Sequence, residues 1–109
     1  IGATNLSIEA TVHAIREKDG IAIASHIDRE HFGIIGQLGF IPENLPLHAL
    51  ELSWRVGAGN RNDFAHHGFP LVTFSDAHYL TDIGKTSTAV VSRTLSFSAL
   101  KASLFAAGA

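Results

Sequence analysis

The sequence predicts an α/β fold on a largely parallel sheet, with strands alternating with helices. Three observations carry that expectation. Short apolar runs at residues 21–25 and 71–74 show little of the alternation of a half-solvated strand, so they read as buried strands, and residues 49–53 read as a further strand. Stretches with helical spacing or turn residues separate them. Two of the runs also end alike, in Ala24-Ser25-His26 and in Phe74-Ser75-Asp76-Ala77-His78. In α/β sheets and barrels, chemistry sits at the carboxyl ends of strands.

The chain has 109 residues, enough for one small domain, residues 1–109. At 46% hydrophobic and 17% charged residues it is globular rather than disordered. A net charge of −2 gives no strong nucleic-acid signal, because such partners select basic surfaces. No apolar run is long enough to span a membrane and no secretory leader is visible. Cysteine is absent, which removes disulfides and thiolate metal sites and fits a cytoplasmic setting. Methionine is absent too, and the chain begins at Ile1. That suggests a processed start or a piece of a longer chain.

Residues 1–6 read as a leading loop. Ser7 can N-cap a helix with Glu9 in its first turn. Ile8, Val12 and Ile15 form its buried stripe, His13 lies beside the stripe, and Gly20 closes the helix. The first strand, residues 21–25, follows at once. Phe32, Ile34, Ile35 and Leu38 mark a short helix, weakened by Gly33, Gly36 and Gly39. Pro42 and Pro46 make residues 40–46 a loop whose apolar side chains pack down. The next strand, within residues 47–53, carries Glu51. An unpaired buried carboxylate is costly, so its face is solvated or it has a partner. Residues 54–68 read as a loop, with a helical turn before His66 and His67. After the strand at 71–74 comes a turn or short helix at 79–84. A β-branched strand is expected at 86–91. Ser96 N-caps a last helix with Phe97, Leu100, Leu104 and Phe105 on one side, closed by Gly108.

Several familiar motifs fail. Gly84-Lys85-Thr86 ends like a phosphate-binding loop, but the required earlier glycine is Tyr79. Gly57-Ala58-Gly59 lacks the third glycine of a dinucleotide fingerprint, where Asn62 stands. Ser25 and Ser75 have no flanking glycines and are not nucleophile elbows. What survives is His26, Asp76 and His78, one oxygen and two nitrogen donors on two strand ends. Such a set suits a divalent metal with open positions. The competing explanation is that Asp76 caps a turn and the histidines are ordinary loop residues.

The segments at residues 21–26, 49–53 and 74–78, followed by Asp82-Ile83-Gly84, resemble the later half of a PHP (polymerase and histidinol phosphatase) domain. The similarity runs from Ser7 to Phe105 and is closest to stand-alone metal-dependent phosphoesterases. It implies about half of a distorted (β/α) barrel with two or three divalent ions, zinc, manganese or iron, at the strand ends. His26 matches a histidine ligand of that family, and Asp76 and His78 match its last aspartate and histidine. Glu51 falls at a position that is commonly acidic and would orient a ligand from behind. Arg29 would meet a substrate phosphate, although it and the neighbouring Asp28 also suit a surface ion pair. The family's earlier histidine-x-histidine pair and its remaining acidic ligands are absent, and a full barrel takes roughly 200 residues or more.

The resemblance therefore implies the carboxyl-terminal part of a phosphoesterase acting on a small-molecule or nucleotide phosphate ester. The chain alone is expected to be inactive, and no catalytic residue is assigned. A non-catalytic half-barrel that docks on a missing amino-terminal half, or self-associates, is the alternative. A two-histidine, one-carboxylate iron site is the third reading.

Overall fold

The structure is a computed structural model that describes residues 2–54 and 58–107. Helix α1 spans Ile8–Glu17, and the Ser7 hydroxyl accepts the Ala10 N–H at 3.1 Å. This is the expected cap. Its C-terminus differs from expectation. Asp19, not Gly20, takes the left-handed conformation, with φ of 60°. Asp19 N–H donates to the Arg16 carbonyl and Gly20 N–H to the Ile15 carbonyl at 2.8 Å, the paired bonds of a Schellman end. Gly20 is needed for close approach instead, because a Cβ there would press on Ile15 Cγ2 at 2.8 Å.

Three strands follow, β1 (Ile23–Ala24), β2 (Ala49–Glu51) and β3 (Leu71–Val72). They form one parallel sheet in the order β1-β2-β3. Ile23 pairs with Ala49, Ala24 with Leu50, Leu50 with Leu71 and Glu51 with Val72. The strands are shorter than the apolar runs that produce them. Helix α2 (Ile34–Leu38) links β1 to β2, and α3 (Ala58–Phe64) with a 3-10 turn at Ala65–His67 links β2 to β3. Residues 58–67 are thus more helical than expected. Residues 55–57 lie outside the described residues.

The pleat divides the core. Ala22, Ala24, Leu50 and Leu52 cluster with Val12 of α1 and Ile34 of α2, and Phe64 of α3 packs against the same cluster. Ala49, Val72 and Leu104 form a second cluster with Ile21 and Ile23 beside it. Leu104 belongs to α4 (Phe97–Ala107). Helices α1 to α3 therefore pack on one face of the sheet and α4 on the other. Both crossover helices share a face and the strands run in sequence order. Ser96 caps α4 as expected, accepting the Ala99 N–H at 3.2 Å. Its expected stripe is only partly used, because Leu104 is buried while Phe97 is 56% exposed. The Phe105 side chain and Gly108 lie outside the described residues.

The strand expected at residues 86–91 is absent. Thr88 replaces the ladder there. Its hydroxyl accepts the Thr73 N–H and donates to the Thr73 carbonyl, both at 2.8 Å. One side chain thus ties the segment to the end of β3, and β-branched composition without a backbone ladder leaves it extended but not a strand. No helix among the described residues is long and apolar enough to cross a membrane.

Candidate functional site

The carboxyl end of β1 turns sharply. His26 has φ of 27°, a conformation that disfavours ordinary side chains. Two contacts hold it. The His26 N–H donates to Glu51 Oε2 at 3.1 Å, and the Ile27 N–H donates to the Glu51 carbonyl at 2.9 Å. Glu51 is thus buried with a partner, which resolves the cost of its carboxylate in an apolar strand. It orients the histidine through the backbone. The Nδ1 of His26 is buried and has no hydrogen-bond partner among the described residues.

Asp28 and Arg29 do not form the ion pair with each other that their adjacency offers. Asp28 reaches across to the end of β2, where Oδ1 accepts the Ser53 N–H at 2.7 Å and Oδ2 accepts the Ser53 hydroxyl at 2.6 Å. Arg29 reaches the end of β3, with Nη1 at 3.0 Å from Asp76 Oδ2. Residues 26–29 therefore touch both other strand ends. The turn they form packs closely on α2. A Cβ on Gly33 would meet the carbonyls of Arg29 and His26 at 2.9 Å, and one on Gly36 would collide with the carbonyl of Glu30. These glycines, which weaken the helix by propensity, permit it to lie against the turn.

At the end of β3, Asp76 also has positive φ, 48°. The imidazole of His78 bends back so that Nδ1 lies 2.7 Å from the Asp76 carbonyl. A carbonyl only accepts, so Nδ1 is the donor and Nε2 is the nitrogen left to act as a ligand. That is the arrangement in which histidine ligates metals, with the second nitrogen fixed by a carbonyl. The expected turn follows as a 3-10 helix at Leu80–Asp82. Asp82 accepts the backbone N–H groups of His78 and Tyr79 at 3.3 and 3.2 Å. The Lys85 ammonium beside it holds its carboxyl below the usual carboxylate range. Ser75 closes the loop by accepting the Gly84 N–H at 3.1 Å and donating to the Thr86 carbonyl at 3.0 Å.

The structure thus brings His26, Glu51, Asp28, Arg29 and Asp76 to one end of the sheet, with His78 hung from Asp76. It does not gather the three expected ligands round a point. Among the described residues no group of three His, Asp or Glu side chains is placed to hold a metal ion. The donors fit a divalent ion in kind, and the partnerless His26 nitrogen fits it too. The Asp76 carboxylate, however, is turned to Arg29. His67, read from sequence as a loop residue, stacks on Phe64 with centroids 6.4 Å apart. The His66 side chain lies outside the described residues.

Sequence reasoning missed two residues that shape the sheet. Arg61 donates to the Leu71 carbonyl at 2.9 Å and to the Thr73 hydroxyl at 3.0 Å, clamping β3 from α3. His48 is buried, and its Nδ1 accepts the Ala22 N–H at 3.0 Å. Neither has a local signal, since both act across the fold. Comparison with protein-family models, curated proteins and solved structures finds no match for the chain.

Proposed function

We propose that the chain is part of a metal-dependent phosphoesterase whose site lies at the carboxyl ends of β1 to β3. The observation that carries this is the buried, partnerless Nδ1 of His26 on a left-handed backbone, with Asp76, on another left-handed backbone, tied to the same turn through Arg29. Buried imidazole nitrogens without partners are uncommon, and strained backbones cluster at functional sites. Sequential parallel strands with both crossovers on one face are a winding that a (β/α) barrel segment shares with one half of a doubly wound sheet, and the half-barrel part of this proposal rests on the sequence resemblance.

In this reading His26, Asp76 and His78 supply part of a ligand set for zinc, manganese or iron, and further ligands come from beyond the described residues. A bound divalent ion would activate water and neutralise charge on a phosphoryl oxygen. Glu51 and Asp28 hold the turn that presents His26, and Arg29 offers a guanidinium to the phosphate of a small-molecule or nucleotide ester. Cytoplasmic residence belongs to the same proposal. Manganese titration by calorimetry tests it. Asp76→Asn should weaken binding, and replacing His67 should leave it unchanged. The reverse result would place the site elsewhere.

A second reading has its own observation. An apolar cavity of about 220 Å³ is lined by Ile21, Ile23, Val72, Phe74, Val90 and Leu100, among others, and nearby Val91 is 95% exposed. Self-association of two copies would cover such a surface. Light scattering that gives the mass of a single 11.6 kDa chain at high concentration would count against it.

A further inference from the structure

We infer that His48 is an acid-released latch. While its ring is neutral it ties the last turn of α1 and the entry to β1 to the segment that leads into β2. On protonation it lets the helix turn go. The latch lies at the amino ends of β1 and β2, away from the candidate site at their carboxyl ends, so it is independent of the phosphoesterase reading.

Two bonds join the same pair of residues. The His48 N–H donates to the Ala22 carbonyl at 2.8 Å, and the Ala22 N–H donates to His48 Nδ1 at 3.0 Å. A backbone N–H only donates, so Nδ1 keeps its lone pair and the bonded ring is neutral, with its proton on Nε2. Nη1 of Arg16 lies 3.2 Å from that Nε2 and donates to the Pro46 carbonyl at 3.1 Å. Two donors thus face each other at Nε2, and the carbonyl, not the ring, holds the guanidinium. Ala22 and His48 are both 3% exposed, so neither can exchange its partner for water without an opening.

Protonation breaks this arrangement twice over. Nδ1 becomes a donor and strands the Ala22 N–H. The new charge is buried, and it faces the Arg16 guanidinium of α1 and the Lys101 ammonium of α4. Asp19, just beyond α1, opposes it, but Lys101 already donates to the Asp19 carboxylate and carbonyl. Burial and the two cations accordingly hold the ring's pKa down. What gives way is the helix turn. Val12 is the one fully buried residue of α1, with Ile8 and Ile15 half-buried beside it. Local openings begin where buried apolar contacts are few, and a helix of 10 residues that has left the sheet is marginal in water.

Amide hydrogen exchange of the whole chain from pH 8 to 4, corrected for intrinsic exchange and read beside the His48 ring resonances, tests the latch. The opening constant at Ala22, Arg16 and Lys18 should rise by up to about tenfold per pH unit below about pH 6.5, which is the uptake of one proton on opening, until the folded ring itself takes the proton. The Leu50 amide, bonded to the Pro70 carbonyl, should keep its protection. His48→Gln should abolish the rise, because the amide oxygen accepts the Ala22 N–H at every pH. Arg16→Met should move the ring midpoint upward by removing the cation that faces Nε2. An equal rise at Leu50 and Arg16 would mean global acid unfolding and would overturn the latch. So would protection of α1 that stays flat across the whole pH range, or a rise that survives in His48→Gln. Should that variant not fold, the wild-type comparison of Leu50 with Arg16 and the Arg16→Met midpoint still decide.

Discussion

Replacing Asp28 by alanine should cost about 3 kcal/mol of folding stability, although Asp28 is a loop residue. The figure follows from its contacts. Both carboxylate oxygens are engaged, one by the Ser53 N–H at 2.7 Å and one by the Ser53 hydroxyl at 2.6 Å. Hydrogen bonds to a charged acceptor are worth about 1.5–3 kcal/mol each, and partial exposure of this site places both near the lower end. Alanine also leaves the half-buried Ser53 N–H without its acceptor. Asp28→Asn should cost only about 1 kcal/mol, because the amide oxygen still accepts that N–H while its NH₂ donates to the serine hydroxyl. Ser53→Ala removes one bond of the two and should also cost about 1 kcal/mol. The double variant should fall short of the sum by about 1 kcal/mol, since the shared bond is lost only once. Urea unfolding with unchanged m-values measures all four proteins. An Asp28→Ala cost below about 1 kcal/mol, or equal costs for alanine and asparagine, would refute the clip between the ends of β1 and β2.

Three further outcomes follow from the same kind of accounting. Burial, then the charges of Arg16 and Lys101, hold the His48 imidazole below its ordinary pKa. The unfolded chain therefore takes up the proton first. Its contribution to stability is complete above about pH 6.5 and declines as pH falls below it, levelling off only below the lowered folded value. The slope should not exceed about 1.4 kcal/mol per pH unit, and His48→Gln should flatten it in urea unfolding measured from pH 8 to 5. Gly36→Ala should destabilise by about 1–2 kcal/mol despite the better helix former, because the added Cβ collides with the Glu30 carbonyl; a rise in melting temperature would show that α2 stands off the His26 turn. Thr88→Val should cost about 1–2 kcal/mol by stranding the Thr73 N–H, with amide exchange accelerating at Thr73 rather than at Val12.

What the sequence made legible is what local chemistry decides. The Ser7 and Ser96 caps act on N–H groups three residues away, so their spacing alone announces them. The runs at 21–25, 49–53 and 71–74 announce strands because an apolar segment must be covered, and parallel pairing lets helices cover both faces of the sheet. Strand length was not legible, since a ladder ends where the partner ends. For the same reason the β-branched run at 86–91 did not become a strand: Thr88 offers β3 a side chain instead of a backbone. Gly33 and Gly36 read as helix weakness because propensity counts only the helix, while their use lies in the turn beneath it. The candidate site divides along this line. That His26, Asp76 and His78 stand at strand ends follows from run and turn. The left-handed backbones at His26 and Asp76 are imposed from outside, by Glu51 on the one and by the loop that Ser75 closes round the other. The contacts of Arg29 with Asp76 and of Arg61 with the Leu71 carbonyl span 47 and 10 positions in the chain. Long, always-charged side chains find such partners only after the sheet has assembled. Sequence can therefore nominate the residues of a site, while the partners those residues take, Arg29 on Asp76 and Asp28 on Ser53, are a property of the folded chain.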